Sequence, residues 1–202
     1  FNSKKLSNIW NKLVWYNEDP VSLPNSGGIY LISKLSSSKH NVIIGGEGAD
    51  EVFAGYDTFK KKEINILEGI YTNKNISSIF TDNQSPLTFK KKLLEKFSGY
   101  SLKNKITYLL NTKLQTLNNR LDKMSMAHGV EFRVPFQTKS LLNFSATLPH
   151  KQLVNNNICK LILKKLAEKY LTKEIIYRKK IGFSVPINMW LKKKEFTHHI
   201  EE

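Results

Sequence analysis

The segment Val42–Tyr56, VIIGGEGADEVFAGY, constrains this chain more than any other. Val42, Ile43 and Ile44 form a short apolar, β-branched run that reads as a buried strand. The run stops at Gly45-Gly46, where the chain needs permissive backbone angles. Three acids follow closely, Glu47, Asp50 and Glu51, and the pattern turns helical at Val52 and Phe53. A strand that ends in glycines and then acids is how an open α/β sheet brings chemistry to its carboxyl edge. Carboxylates packed this tightly repel one another unless a cation or a substrate amine shares the site. A solvated turn with an acidic helix start, favoured by the helix dipole, explains the same spacing. Spacing alone leaves both readings open.

Three blocks of sequence decide between them. GGEGADEVFAGY resembles the SGEGADE-hydrophobic-hydrophobic-Gly-Gly-Tyr segment of the glutamine-hydrolysing asparagine synthetases. Asp122–Phe136, DKMSMAHGVEFRVPF, is similar to that family's D-x-M-S-M-A-x-x-x-E-x-R-x-P-F run, and Tyr177–Leu191, YRKKIGFSVPINMWL, to its R-x-K-x-G-F-x-x-P-x-x-x-W-L block. Trp15–Pro20, WYNEDP, is a weaker match. The blocks keep the family's order, and the similarity covers about residues 10 to 195.

The formal charge of +15 would ordinarily suggest a nucleic-acid partner. The excess is nearly all lysine, spread in short runs at residues 60–62, 90–92 and 192–194 alongside abundant Asn and Ile. That mixture reads as compositional bias, and no zinc spacing or RNA-binding aromatic motif accompanies it, which argues against nucleic acid. The three arginines, Arg120, Arg133 and Arg178, all fall in or beside the matched blocks. Guanidinium offers a planar fork of donors that lysine cannot copy, so Arg133 and Arg178 are expected in buried ion pairs or anion contacts. Cys159 is the sole cysteine, which excludes an intrachain disulfide and a cysteine metal cluster. No apolar run is long enough to span a bilayer, and no leader precedes the first motif, so the expectation is a cytoplasmic protein without a membrane partner.

Helical apolar spacing is read over residues 29–35, 102–117, 122–127, 141–148, 158–170 and 185–191, with Gly129 as the residue that ends the helix at 122–127. Residues 73–85 are polar and turn-rich, a surface loop. One domain is expected over 1–202. A single strand cannot make a sheet, and no second strand is evident. The resemblance accounts for this: it implies an α/β fold, the helix-rich carboxy-terminal part of a parallel-sheet synthetase domain of the ATP-pyrophosphatase type (adenine nucleotide α hydrolase-like). Its earlier strands, its Ser-Gly-Gly-x-Asp-Ser pyrophosphate loop and its amino-terminal glutaminase domain would then precede Phe1. Ser26-Gly27-Gly28 is not that loop, because Ile29 and Tyr30 follow it instead of Asp-Ser and no strand leads into it. The chain alone is accordingly expected to form no AMP.

The reaction the resemblance implies is ATP-dependent amidation of aspartate through β-aspartyl-AMP, with ammonia derived from glutamine. ATP and Mg²⁺ are the implied cofactors. Asp50 matches the family's metal-binding Asp, as suits a hard cation. Gly45 and Gly46 would let the backbone approach the nucleotide, although the family has Ser at Gly45. Glu47 is the candidate general base that takes a proton from ammonia, or else positions substrate. Lys180 matches the family's catalytic lysine and would stabilise charge developing on the phosphoryl oxygens, whereas Lys179 is out of register. Arg133 is assigned to nucleotide contact or to an ion pair with Glu131, which alternation places on the same side of an extended segment. Glu51 is expected to cap or pair structurally. Met124 and Met126 read as core, His128 has no catalytic role, and His198 and His199 read as a loose tail. Gln137 and Thr138 stand where the family has Leu and Asp, which puts local packing and an ion pair in question. Aspartate and ammonia or glutamine are the implied substrates, a glutaminase domain in the same or a separate chain the implied partner, and a homodimer is left open. The competing readings are a related amidotransferase that acts on a sugar acid or peptide carboxylate, and a non-catalytic truncated paralogue.

Overall fold

A computed structural model describes residues 1–19, 23–60, 102–197 and 199. In chain order the elements are helices α1 (Ser3–Ser7), α2 (Trp10–Asn17) and α3 (Ser26–Ser36), strand β1 (Val42–Ile44), and the short α4 (Ala49–Val52). After a 3-10 turn at Asp57–Lys60 come α5 (Leu102–Asn111), α6 (Lys113–Met126), strand β2 (Glu131–Arg133) and a 3-10 turn at Pro135–Gln137. Helices α7 (Lys139–Thr147), α8 (His150–Leu153), α9 (Leu161–Ala167), α10 (Lys173–Tyr177) and α11 (Ile187–Trp190) follow, with a last 3-10 turn at Lys194–Phe196. The expected loop at 73–85 and the lysine run at 90–92 lie outside the described residues.

The described residues of Phe1–Gly46, Thr116–Pro135 and Lys179–Glu202 form one compact unit, and those of Glu47–Gln115 and Phe136–Arg178 form another. The first unit packs around Leu6, Leu13, Ile29, Tyr30, Leu121, Met124 and Phe196. These come from four helices and the carboxy-terminal turn, whose apolar stripes have no other way to leave water. Met124 is fully buried, as a core residue should be, whereas Met126 is exposed. The core of the second unit is Val52, Phe53, Ala54, Phe59, Tyr108, Leu109, Leu148, Leu153 and Val154.

The sheet differs from the sequence expectation. β1 has a partner: β2 pairs with it in parallel, Val42 opposite Glu131, Ile43 opposite Phe132 and Ile44 opposite Arg133. The partner escapes a pattern search because only Phe132 is apolar among its three residues, too short an alternation to carry a period. Nor is β1 buried on both faces, since Ile44 is 74% exposed and only Ile43 is half-buried. The described residues therefore give a helix-rich α/β chain with a two-stranded parallel sheet.

Helix ends explain how β2 is delivered. Gly129, at φ +64°, ends α6: its N–H donates to Met126 O at 3.0 Å, and Val130 N–H reaches back to Ser125 O at 3.2 Å. That pair of bonds is the Schellman arrangement, which favours a residue without Cβ at this position. The chain leaves it directly into β2, and Val130 is fully buried. The expected helix over 102–117 is interrupted at Thr112, whose hydroxyl donates to Tyr108 O at 2.7 Å and competes with continuation of the helix. His199 is not loose: its Nε2 lies 3.2 Å from Ser7 Oγ, and its ring packs on Trp10 and Phe196, whereas His198 lies outside the described residues.

Candidate active site

Within the first unit, β1 ends at Gly45, whose N–H donates to Arg133 O at 2.9 Å and so extends the ladder by one rung. A Cβ built at Gly45 would fall within the Phe132 ring. The departure from Ser at this position is thus matched by an aromatic ring that occupies the vacated space. Gly46 differs, because a Cβ there would meet nothing within 4 Å among the described residues. Arg133 pairs with Glu131, Nε to Oε1 at 3.0 Å and Nη2 to Oε2 at 3.4 Å. The expected pair exists, but it is an exposed one, each side chain 60% accessible, and the guanidinium's bond and charge lower the Glu131 pKa. Arg178 is exposed too. The buried arginine is instead Arg120, at 6% exposure. Lys180 and Lys179 are both exposed. His128 packs edge-on against Tyr30 at 4.3 Å, and burial, with Lys34 and Lys12 adding to it, lowers its pKa.

In the second unit, Glu47 and Asp50 sit on one turn leading into α4, with Gly48 between them as the helix N-cap at φ +93°. Gln137 lies against this turn. Its Nε2 donates to Glu47 O at 3.3 Å, and a Cβ at Gly48 would meet its Cγ at 2.5 Å. A glutamine in place of the family's leucine thus gives the turn a polar brace rather than an apolar one. Thr138 caps nothing by its side chain, although its Oγ1 lies 3.3 Å from Ser140 Oγ.

Glu51 is structural, as expected. It is 1% exposed and accepts a hydrogen bond from the Tyr56 hydroxyl. Burial, the Glu51 bond and charge, and then Asp50 and Glu47 together push the Tyr56 pKa far above its ordinary value of 10.0. Lys113 Nζ sits over the Tyr56 ring, 3.8 Å from its centroid. Asp50 carries a partner the sequence did not suggest. Lys160 Nζ is 2.9 Å from Asp50 Oδ1, with the two side chains 25% and 27% exposed. A Cβ at Gly55 would fall on both Asp50 Oδ1 and Lys160 Cε, so the pair closes across the space that glycine leaves.

Among the described residues no three of His, Cys, Asp and Glu are grouped so as to hold a metal by themselves. A magnesium ion is commonly held by one or two carboxylates with phosphate oxygens and waters completing its shell. A single carboxylate such as Asp50 is chemically compatible with such a shell, and in the structure its Oδ1 pairs with Lys160 Nζ at 2.9 Å.

Residues 1–202 match the Asparagine synthase family model throughout. The chain is 28% identical over 229 residues to asparagine synthetase [glutamine-hydrolyzing] 1 of Bacillus subtilis, with 90% of this chain and 36% of that protein covered. It is 30% identical over 203 residues to the asparagine synthetase [glutamine-hydrolyzing] of Mesocricetus auratus (95% and 30% covered). To that of Homo sapiens it is 28% identical over 211 residues (98% and 32% covered). The chain belongs to the asparagine synthase family. It spans about a third of the length of these curated relatives. No described helix is long and apolar enough to cross a membrane.

Proposed function

We propose that this chain supplies nucleotide- and acceptor-handling residues to an ATP-dependent synthetase that amidates aspartate to asparagine with glutamine-derived ammonia. The observation that carries the reading is the Gly45–Asp50 turn: a parallel strand runs into two glycines, and Glu47 and Asp50 follow at the head of the next helix. That is where an open parallel sheet places ligand-binding groups. Family membership and the order of the three motif blocks support it. The reading includes a synthetase domain of the ATP-pyrophosphatase type, a glutaminase domain in the same or a partner chain, a homodimer as one assembly, and a cytoplasmic location.

The aspartate side-chain oxygen attacks the α-phosphorus of ATP; a P–O bond forms and pyrophosphate leaves, giving β-aspartyl-AMP. Ammonia then adds to the activated carbonyl and AMP departs. Glu47 accepts the proton that the attacking nitrogen must lose. Lys180 donates to the phosphoryl oxygens as charge builds on them, an effect that is large for a donor held in position before the reaction. Asp50 would hold the polyphosphate's Mg²⁺, which would supply charge neutralisation when bound. Gly46 leaves open backbone for the nucleotide, and Arg133 meets its negative charge from the end of β2.

Pyrophosphate release at saturating ammonia, in the protein that carries this chain, tests the reading. Lys180→Ala should lower kcat by about 10²–10³-fold with little change in KM for ATP, whereas Lys179→Ala should be nearly silent. Both variants should keep their thermal stability, because both side chains are exposed. Equal effects of the two substitutions would remove Lys180 from the mechanism. Turnover of a sugar acid or peptide carboxylate in preference to aspartate would replace the acceptor.

A further inference from the structure

Ser26-Gly27-Gly28, which is no phosphate loop, has a different use in the structure. The three residues form the first turn of α3 and are buried. A Cβ at Gly27 would lie 2.8 Å from Leu6 Cδ1 and from Phe1 Cζ, and one at Gly28 would lie 2.6 Å from Phe183 Cζ. Both distances are shorter than carbon atoms tolerate, so Gly28 is a seat for the Phe183 ring. That ring remains 57% exposed, so burial alone holds it weakly.

A polar contact adds to the seat. Asn25, the residue before α3, donates from Nδ2 to the Phe183 carbonyl. Its Oδ1 accepts from Arg120 Nη1 at 2.8 Å. The two ends of an asparagine amide have nearly the same shape but opposite hydrogen-bonding character. A guanidinium has only donors, so buried Arg120 draws the amide oxygen toward itself and turns the NH₂ group toward Phe183. Phe183 closes the Arg-Lys-Lys-Ile-Gly-Phe block, and Lys180 lies three residues upstream. Three residues reach at most about 10 Å. A fixed Phe183 therefore limits where the Lys180 ammonium can go.

We infer that Asn25, oriented by Arg120, is a positioning residue that latches the Lys180 loop onto the first turn of α3. The link to catalysis rests on the functional reading of Lys180 above; the latch itself does not. Asn25→Asp is the informative variant. A carboxylate keeps the acceptor that Arg120 needs but faces the Phe183 carbonyl with oxygen instead of NH₂, so the latch opens while Arg120 stays paired.

Limited tryptic digestion read by mass spectrometry tests the latch, because Arg178, Lys179 and Lys180 are consecutive exposed cleavage sites. Cleavage there, measured against cleavage after exposed Lys39, should rise about five- to tenfold in Asn25→Asp, the shift expected from losing one net hydrogen bond. Asn25→Ala should do the same, and the thermal midpoint of Asn25→Asp should stay at the wild-type value. In the pyrophosphate assay Asn25→Asp should lower kcat on the wild-type background and add nothing on the Lys180→Ala background. Unchanged cleavage in Asn25→Asp would overturn the latch. Equal losses of kcat on the two backgrounds would overturn positioning through Lys180. If Lys180→Ala itself proves silent, that failure belongs to the functional reading, and the digestion alone decides the latch.

Discussion

Replacing Lys160 with methionine tests the least anticipated contact in the chain. Asn156 and Asn157, at φ +45° and +62°, form a tight turn closed by hydrogen bonds between Asn155 and Ile158. Positive φ at both central residues is the type I′ requirement, which asparagine meets more easily than most side chains. Cys159 Sγ then donates to Tyr56 O at 3.4 Å, and Lys160 itself sits at φ +54° as the residue before α9. A lysine in the left-handed region costs on the order of 1 kcal/mol, so something must offset that conformation. The Asp50 contact is what the structure offers.

The magnitude lies between two limits. Exposed ion pairs contribute about 0–1 kcal/mol, and removing one partner of a fully buried pair costs about 3–5 kcal/mol. With each side chain about a quarter exposed, Lys160→Met should destabilise the chain by about 2 kcal/mol. Lys160→Gly loses the same pair but relieves the left-handed backbone, so it should cost about 1 kcal/mol less than Lys160→Met. The assay is urea denaturation followed by circular dichroism at 222 nm, with Asp50→Asn and the double variant completing a cycle. Tryptophan emission is the wrong probe, because Trp10, Trp15 and Trp190 all belong to the other unit. A coupling energy below about 0.5 kcal/mol, within the error of simple additivity, would refute the reasoning and make the pair a solvated contact.

Tyr56→Phe should cost about 1–3 kcal/mol, because it removes the hydroxyl donor from a Glu51 side chain that is 1% exposed. It should also change the alkaline limb of stability. Tyr56 keeps its proton in the folded chain above the ordinary value of 10.0, where the unfolded chain has lost it, so wild-type stability is full below pH 10 and declines as pH rises beyond it. Denaturation midpoints between pH 8 and pH 11 should show this extra decline in wild type and a smaller one in Tyr56→Phe. The adjacent glycines at the end of β1 should respond oppositely. Gly45→Ser drives a Cβ into the Phe132 ring and should destabilise the first unit by about 1–3 kcal/mol in tryptophan-monitored unfolding. Gly46→Ala should leave that transition unchanged and act on pyrophosphate release, and a stability loss equal to that of Gly45→Ser would contradict the open space seen there.

Much of this architecture can be read from local signals. The β-branched Val42–Ile44 run and the glycines that stop it appear in the structure, as do Gly129 as a helix terminator and Glu51 as a structurally paired acid, whereas the helix expected from Val52 and Phe53 instead spans Ala49–Val52 and ends there. What cannot be read depends on contacts between distant segments. β2 owes its identity to pairing with β1, not to its own three residues. Lys160 carries no mark in a lysine-rich chain, apart from the three asparagines that turn the backbone before it. The scarcity of arginine drew attention to three positions, but the burial expected of Arg133 and Arg178 is not found, because which guanidinium is buried depends on helix packing. Arg120 on α6 is enclosed, whereas Arg133, on a strand with one neighbour among the described residues, is not.

The glycines of the signature segment divide by what each makes room for, and the division narrows where a ligand can approach. Gly45 accommodates the Phe132 ring, Gly48 supplies the left-handed N-cap of α4 against Gln137, and Gly55 leaves the passage through which Lys160 reaches Asp50. Each of these three is accounted for by the chain's own packing, so none requires a ligand to explain it. Gly46 is not accounted for in that way. It has open space where a side chain would stand and a φ that any residue could adopt, so neither packing nor backbone geometry among the described residues demands glycine. A motif that shows four glycines to a sequence search therefore contains three that serve the fold and one with no packing role among the described residues. That remaining position follows a parallel strand and immediately precedes Glu47, which makes Gly46 the glycine at which the nucleotide reading is most directly exposed to experiment.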